Sequence, residues 1–226
     1  MSLDVWPALP LVIEGCVSEM SMNNVIAELK HGDRIYKIDL KSSTILRIET
    51  LWTAMQVPFP ELTDLSLSLK VLLYVPVLPD SFLGGSATRL LSLLLNTIPF
   101  PRLPKLALST TRLVEPRLIQ IPHSGYFSPE AMTTCLSVLT SLKSLQLQFE
   151  SSQSCPDQES QRSPPTRFIL SALYYFSFKG VNEYLEDLVS QIDAPRLFQL
   201  WTELFNDIDY DTLELNQFIT RTPIFI

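Results

Sequence analysis

The stretch SLKSLQLQF, residues 141–149, decides the fold of this chain. Its leucines are Leu142, Leu145 and Leu147, a spacing written LxxLxL. This spacing matches neither a helix face, which repeats every ~3.6 residues, nor a plain alternating strand. The last two leucines alternate and therefore point to one side of a strand, while the first turns inward just before that strand.

The same spacing recurs along the chain. It begins at seven positions, in IYKIDL (35), LTDLSL (62), LLSLLL (90), LVEPRL (113), LKSLQL (142), LYYFSF (173) and LFQLWT (197). The steps between these starts are 27, 28, 23, 29, 31 and 24 residues, and leucine-rich repeats have periods of about 20–29 residues. The pattern predicts one α/β domain, residues 1–226, a leucine-rich-repeat solenoid of about seven irregular repeats. Its concave side would carry parallel strands near 36–41, 63–68, 91–96, 114–119, 143–148, 174–178 and 198–202.

The segments between these strands predict the convex side. Capping residues and apolar spacing favour helices at 21–32, 43–56, 128–140, 180–193 and 211–222. The clearest start is at Ser128, which suits the N-cap, and Pro129, which suits the first helical turn. PDSFLGG (79–85) and PFPRLPKLALS (99–109) are too short or too rich in proline for full helices, so we expect turns or 3₁₀ pieces there.

One segment, residues 151–166, departs from the repeat. It contains five serines and three prolines but no aliphatic or aromatic residue. It also lies within the longest step, of 31 residues. The composition predicts a disordered surface insertion, within which Ser163-Pro164 also fits a phosphorylation site.

Charge and hydropathy exclude two classes of partner. The net charge of −7 comes from residues 180–226, where nine acids face two arginines; elsewhere 15 acids balance 15 bases. Nucleic acid is not expected, because phosphate binding requires the opposite sign. A membrane is not expected either, because the most apolar stretch, LSLSLKVLLYVPVLP (65–79), is interrupted by one lysine and two prolines.

The sequence predicts no enzyme chemistry. The chain has three cysteines, Cys16, Cys135 and Cys155, and no CxxC motif. The odd count favours reduced thiols and an intracellular location, cytoplasmic or nuclear. His31 and His123 lie outside any ligand-spaced cluster, so neither a metal nor a cofactor is expected. P-loop, GxGxxG and GxSxG motifs are absent, and DIDYDT (207–212) lacks the glycine and glutamate of a calcium loop.

Binding is expected on the concave face, where the residues between the strand leucines point. Hot spots favour Trp, Tyr and Arg, which singles out Trp201, Tyr175 and Arg117. The alternative for Trp201 is packing over an exposed end of the stack. The candidate binding residues are Arg117, Gln146, Gln148, Tyr175, Lys179, Gln199, Trp201 and Glu203.

Longer phrases carry a family resemblance over nearly the whole chain from Asp4. They are QVPFPELTDLSL (56–67), LPDSFLGGSATRL (78–90), IPFPRLPKL (98–106), IPHSGYFSPEAM (121–132) and FKGVNEYLEDLVSQIDAPRL (178–197). These phrases resemble fungal (basidiomycete) F-box-like proteins with degenerate leucine-rich repeats. The resemblance implies a ubiquitin-ligase substrate receptor, in which an F-box holds the adaptor of a cullin ligase and the repeats hold the target.

Two departures from that family shape the expected function. VWPALPLVIEG (5–15) suggests the stub of an earlier strand rather than an F-box, so the F-box itself is expected to be missing. RTPIFI (221–226) stops where a further strand would follow, so a cap is expected to be missing too.

The sequence thus predicts a protein-interaction scaffold resembling the target-recognition part of such a receptor. The acidic segment 180–226 favours a partner protein with a basic patch. Binding to the cullin adaptor would require an F-box supplied elsewhere. The alternative is a truncated, uncapped remnant of such a gene without independent activity.

Overall fold

Eight parallel strands form one sheet whose spatial order follows the order of the chain. The computed structural model describes residues 9–42, 48–70, 75–154, 167–205 and 212–222. The strands of the sheet are β1 (Leu11–Val17), β2 (Ile35–Ser42), β3 (Asp64–Leu69), β4 (Ser92–Asn96), β5 (Glu115–Ile121), β6 (Ser144–Phe149), β8 (Tyr175–Gly180) and β10 (Gln199–Leu204). Two short strands, β7 (Phe168–Ile169) and β9 (Ile192–Asp193), pair separately. The predicted strands and their parallel pairing are confirmed, and the sheet is not closed into a barrel.

Helices return the chain between several of these strands. In the described residues they are α1 (Met22–Leu29), α2 (Ile48–Ala54), α3 (Leu103–Ser109), α4 (Pro129–Leu136), α5 (Asn182–Ser190) and α6 (Leu213–Arg221). Crossovers between parallel strands are right-handed, so a sheet in sequential order carries all its helices on one face. Contacts between α3 and α4, α4 and α5, and α5 and α6 agree with this layer.

The predicted start of α4, where a cap was visible in the sequence, is correct, whereas the helices predicted at 21–32, 128–140 and 180–193 end earlier, at Leu29, Leu136 and Ser190. The Ser128 hydroxyl accepts a hydrogen bond from the Ala131 N–H at 3.2 Å, and Pro129 occupies the first turn of α4. α6 begins differently, because Thr212 is its N-cap but makes no side-chain capping bond. Instead, the Glu186 carboxylate on α5 accepts the Glu214 and Leu215 N–H groups at 2.7 and 3.0 Å.

The prediction of turns over 99–109 is wrong in its second half, where α3 forms. Arg102 is the N-cap, so Pro104 falls in the first turn. A proline there removes an N–H group that has no helical partner in any case, and its fixed φ suits the helix. The 3₁₀ turn expected nearby is confirmed at Phe82–Gly85.

The suggested early strand before residue 15 is confirmed as β1, which pairs in parallel with β2. Several predictions fall on residues outside the described ranges. These are the first residues (5–8) of the suggested strand stub, the start (43–47) of the helix predicted at 43–56, most of the insertion 151–166, of which the structure describes 151–154, the calcium-like aspartates at 207–211, and residues 223–226.

The core lies between the sheet and the helices. The first apolar position of every repeat is at most 2% exposed, in Ile35, Leu62, Leu90, Leu113, Leu142, Leu173 and Leu197. The two strand positions that follow are also buried in β2, β3, β4, β6 and β8. Burying a side chain of this kind contributes about 1.5–3 kcal/mol, so this ribbon dominates the stability of the fold.

Aromatic rings widen the core beneath β6 and β8. Phe149 lies 4.9 Å from Tyr184 and 6.3 Å from Phe178, between ring centroids. Gly180 ends β8 under these rings, and a Cβ atom there would stand 2.6 Å from Phe178 and 3.0 Å from Phe149. Glycine is therefore required at this position by space.

Candidate functional site

The face of the sheet opposite the helices, called here the open face, is the candidate site. It presents three side chains per strand, and the strand register aligns them in three rows. The row at the carboxyl ends is interrupted between β5 and β6, where the register shifts after Leu118. The row at the amino ends holds Val12, Lys37, Asp64, Ser92, Glu115, Ser144, Tyr175 and Gln199. The middle row holds Glu14, Asp39, Ser66, Leu94, Arg117, Gln146, Ser177 and Trp201. The row at the carboxyl ends holds Cys16, Lys41, Ser68, Asn96, Ile119, Gln148, Lys179 and Glu203.

All eight candidate binding residues stand in these rows, on the four neighbouring strands β5, β6, β8 and β10. Two amide contacts tie the strands together. The Arg117 Nε donates to the Gln146 Oε1 at 3.1 Å, and the Gln148 Nε2 donates to the Ser177 Oγ at 3.4 Å. These bonds hold polar side chains along the face rather than leaving them to move independently.

Lys179 and Glu203 form an ion pair at the carboxyl ends of β8 and β10. The Lys179 Nζ lies 2.7 Å from the Glu203 Oε1 and 5.7 Å from the centre of the Phe205 ring. Because each charge compensates the other, the pair itself adds no net charge to the open face.

Trp201 is exposed over 41% of its surface. Its register partner Ser177, which lies between Gln146 and Trp201 in the middle row, is only 1% exposed. Trp201 therefore projects into solvent at the end of the middle row, next to the buried Ser177. An exposed indole of this kind combines a large apolar surface with an N–H donor, a pairing common at protein interfaces.

Two further aromatic residues escaped the sequence-based list. Tyr174 and Phe198 stand just before β8 and β10, with ring centroids 5.1 Å apart and planes 7° from parallel. Their exposed fractions are 53% and 63%. Both residues occupy the second position of an LxxLxL unit, which was not among the positions from which the candidate binding residues were chosen. We call Tyr174, Tyr175, Phe198 and Trp201 the aromatic patch.

The opposite end of the open face is ionic. Lys37 lies 2.5 Å from the Glu14 carboxylate, and the Ser66 hydroxyl donates to Asp39 at 2.9 Å. The hydrogen bond and charge of Glu14 raise the pKa of Lys37, with smaller contributions from Asp39 and Asp64. These charges satisfy one another, and none was on the sequence-based list.

Potential metal ligands and reactive groups among the described residues were compared with the open face. They contain no group of three His, Cys, Asp or Glu side chains that could hold a metal. Burial raises the pKa of the Cys135 thiol to about 12, and a thiol that remains protonated is a poor nucleophile. The His123 ring contacts the Gln153 carbonyl at 2.7 Å and is not part of a triad.

None of the helices in the described ranges is long and apolar enough to cross a membrane. Neither a protein-family model, nor a curated protein, nor a solved structure matches this chain.

Proposed function

We propose that this chain is a protein-interaction scaffold built as a leucine-rich-repeat solenoid, with the open face as the concave side of an arc. The sequential strand order and the buried first position of every repeat support this architecture. The role would resemble target recognition by an F-box ubiquitin-ligase substrate receptor. Ligase recruitment would require an F-box supplied by another polypeptide or segment.

The observation that carries the proposal is the aromatic patch. Three of its four side chains are 41–63% exposed and lie on two adjacent strands or just before them. Hot spots in protein interfaces are enriched in Trp and Tyr surrounded by polar groups that exclude water. Gln146, Gln148 and Gln199 lie on the open face with two members of the patch, Tyr175 and Trp201.

The charge of the acidic segment, residues 180–226, bears on which kind of partner is expected. Several of its described acids are engaged internally: Glu186 caps α6, Asp193 contacts Arg221, Glu203 contacts Lys179, and Glu214 lies 3.8 Å from Arg167. Among the described acids of the segment, Glu203 alone lies in the rows of the open face, where Lys179 compensates it. In the proposal, charge raises the association rate of a partner with a basic patch, while the aromatic patch supplies affinity.

The alternative to a binding function is that this chain is a remnant without independent activity. The observation that favours it is β10, where Leu200 and Leu204 are only half-buried. A remnant would predict no partner whose binding depends on the aromatic patch.

Affinity capture with the full chain tests the proposal. The test variant, Phe198→Ala/Trp201→Ala, removes two side chains of the aromatic patch. The matched control is Val12→Ala, which truncates an open-face side chain on the far strand β1. We expect a partner that the wild type and Val12→Ala retain and the double variant loses. Calorimetry with that partner should show that Trp201→Ala alone costs about 2 kcal/mol of binding, roughly thirtyfold in Kd. If Trp201→Ala leaves the affinity unchanged but unfolds the last strand, Trp201 only stabilises the fold, and the proposed site is contradicted.

The ligase setting has its own test. A pull-down with the adaptor of a cullin ligase should recover none of this chain alone. Recovery that is saturable and survives high salt would contradict the expectation that an F-box must come from elsewhere.

A further inference from the structure

Three basic side chains at the amino ends of β5, β6 and β10 are not used by the fold. Arg112 and Arg196 each stand just before the first position of a repeat, and Lys143 stands just after that position in its own repeat. All three are exposed. Among the described residues, their side chains make no hydrogen bond or ion pair. We call Arg112, Lys143 and Arg196 the basic rim.

The backbone places the basic rim beside the exposed rings of the aromatic patch. The Tyr174 N–H donates to the Lys143 carbonyl at 2.7 Å, and the Phe198 N–H donates to the Tyr174 carbonyl at 2.8 Å. Lys143, Tyr174 and Phe198 therefore follow one another across three neighbouring strands, about 4.8 Å apart. Arg196 lies two residues before Phe198 in the chain. The stacked rings thus have one cation on the neighbouring strand and a second close to them in sequence.

The other half of the sheet uses the equivalent repeat position differently. Arg89 stands just before the first position of its repeat, as Arg112 does, but it forms an ion pair with Glu61. Arg34 occupies the same position and donates to the Leu9 carbonyl at 3.1 Å. Within the described part of the chain, arginines at this position therefore have a protein partner before β2 and β4 and none before β5 and β10.

The local charge at this end of the open face is opposite in sign to that of the acidic segment. Residues 112–115, 141–144, 172–175 and 196–199, which lead into β5, β6, β8 and β10, hold three bases and one acid, Glu115. Three bases less one acid give a local charge of +2. A bound segment meets this local charge at contact distance, where screening by salt is weakest.

We propose that the basic rim and the aromatic patch together bind an acidic segment of a partner protein, in which carboxylates flank an aromatic side chain. This inference rests on the proposed function and names the part of the partner that contacts the open face. That part is distinct from the basic patch favoured by the acidic segment as a whole. Arginine binds a carboxylate through two parallel N–H donors. An aromatic side chain beside the Tyr174–Phe198 stack adds the offset or edge-to-face contact that such rings prefer.

The spacing of the basic rim sets the length of the bound segment. Arg112 and Arg196 precede β5 and β10, which are three strand spacings apart in the order of the sheet, about 14 Å. An extended chain covers this distance in about four residues. The segment therefore needs carboxylates about four residues apart, with the aromatic residue between them.

The probe is an acetylated and amidated peptide with two glutamates on each side of a central tryptophan. One control peptide has glutamine in place of every glutamate, and the other has alanine at the centre. We expect saturable, salt-sensitive binding of the probe to the full chain by isothermal titration calorimetry. Both controls should bind about tenfold more weakly or worse, because each lacks one half of the proposed contacts.

Variants at one repeat position separate a specific site from a change in net charge. Arg112→Gln and Arg89→Gln each remove one positive charge just before the first position of a repeat. We expect Arg112→Gln to weaken the probe about two- to fivefold, as the loss of an exposed ion pair does, and Arg89→Gln to leave it unchanged. The triple variant Arg112→Gln/Lys143→Gln/Arg196→Gln should weaken it about tenfold or more. Circular dichroism should show that all of these variants keep the wild-type fold.

Three outcomes would overturn this inference. Binding that Arg89→Gln weakens as much as Arg112→Gln would reflect net charge alone. Binding that the triple variant loses but Phe198→Ala/Trp201→Ala keeps would separate the cations from the aromatic patch. No binding of the probe, with a partner still captured through Phe198 and Trp201, would exclude the acidic segment and leave the proposed function standing.

Nucleic acid is the other occupant that combines negative charge with flat rings. A single-stranded uridine oligomer is its probe, because bases stack on aromatic side chains while cations follow the phosphates. We expect the oligomer to bind more weakly than the peptide, because the net charge of the whole chain is −7. Tighter binding of the oligomer that the triple variant abolishes would identify nucleic acid as the occupant and overturn the inference.

Discussion

Strands β8 and β10 are two copies of one motif with different surroundings. LYYFSF and LFQLWT lie side by side in register, with Phe176 opposite Leu200 and Phe178 opposite Thr202. In β8, which has a neighbour on each side, both residues are 0% exposed. In β10, which has a described neighbour on one side, neither partner is fully buried. The motif specifies a strand, whereas the neighbouring strand determines how much of it is buried.

The largest test of this difference compares core deletions. Phe178→Ala should lower the free energy of unfolding by about 3–5 kcal/mol, because it removes a fully buried ring and leaves a cavity. Leu200→Ala should cost about 1 kcal/mol, since its side chain is already partly exposed. Urea denaturation followed by circular dichroism measures both. Equal losses would mean that β10 is as well covered as β8.

A smaller effect is expected at the ends of the two strands, where Gly180 is opposite Leu204. Gly180→Ala should cost about 1–3 kcal/mol, since its Cβ would overpack the rings of Phe178 and Phe149. The double variant with Phe178→Leu should lose less than the sum of the single losses, because the new Cβ would meet the Phe178 ring most closely. Additive losses would indicate that the cost is not steric.

The same contrast of interior and edge applies to two thiols, Cys135 inside the fold and Cys16 exposed on the edge strand β1. The native pKa of Cys135 is raised from 9.0 to about 12 by burial. The native thiol therefore keeps its proton at a pH where the unfolded one has lost it. Stability from this group is complete below about pH 9 and is lost as pH rises towards 12.

Between about pH 8 and pH 10, wild type should lose about 1.4 kcal/mol more than Cys135→Ala. Urea denaturation at each pH measures this difference. In a Cys155→Ser background, a thiol reagent should label Cys16 rapidly and Cys135 only on unfolding. Rapid labelling of both would show that α4 opens in the native state.

The smallest effect concerns the ion pair that bridges the two strands. Lys179 and Glu203 keep 31% and 47% of their side-chain surface in solvent. A double-mutant cycle with Lys179→Met and Glu203→Gln should give a coupling of about 0.2–1 kcal/mol that falls with salt. A coupling that high salt leaves unchanged would mean that this edge is less exposed than the structure shows.

The sequence was sufficient where the information is local. LxxLxL predicted every strand from β2 to β10 in the main sheet, and Ser128-Pro129 predicted the start of α4. It failed at α3, where Pro104 argued against a helix that tolerates it, and at β7 and β9, whose two-residue pairing leaves no periodic signal. The cap of α6 came from Glu186, which lies 28 residues before Glu214 and is brought near by folding.

The candidate site was predictable in part for the same reason. Alternation along a strand placed Arg117, Tyr175 and Trp201 on the open face, but it gave no measure of exposure. Tyr174 and Phe198 were missed because the candidate residues were taken from the third position of LxxLxL onward, and these two residues occupy the second position. Which of these side chains reach solvent depends on the next strand, and that information is not local.

The sequential strand order has a consequence for how the chain folds. Residues paired across neighbouring strands of the main sheet stand 23 to 31 positions apart, as in Ser92–Glu115 and Ser144–Tyr175. Loop-closure entropy grows only with the logarithm of loop length, about 0.6 kcal/mol per doubling, so each pairing carries nearly the same cost. No strand of the main sheet therefore needs a partner that is distant in the sequence before it can pair. Folding can therefore begin at any adjacent pair and spread in both directions, at a rate set by local rather than global closure.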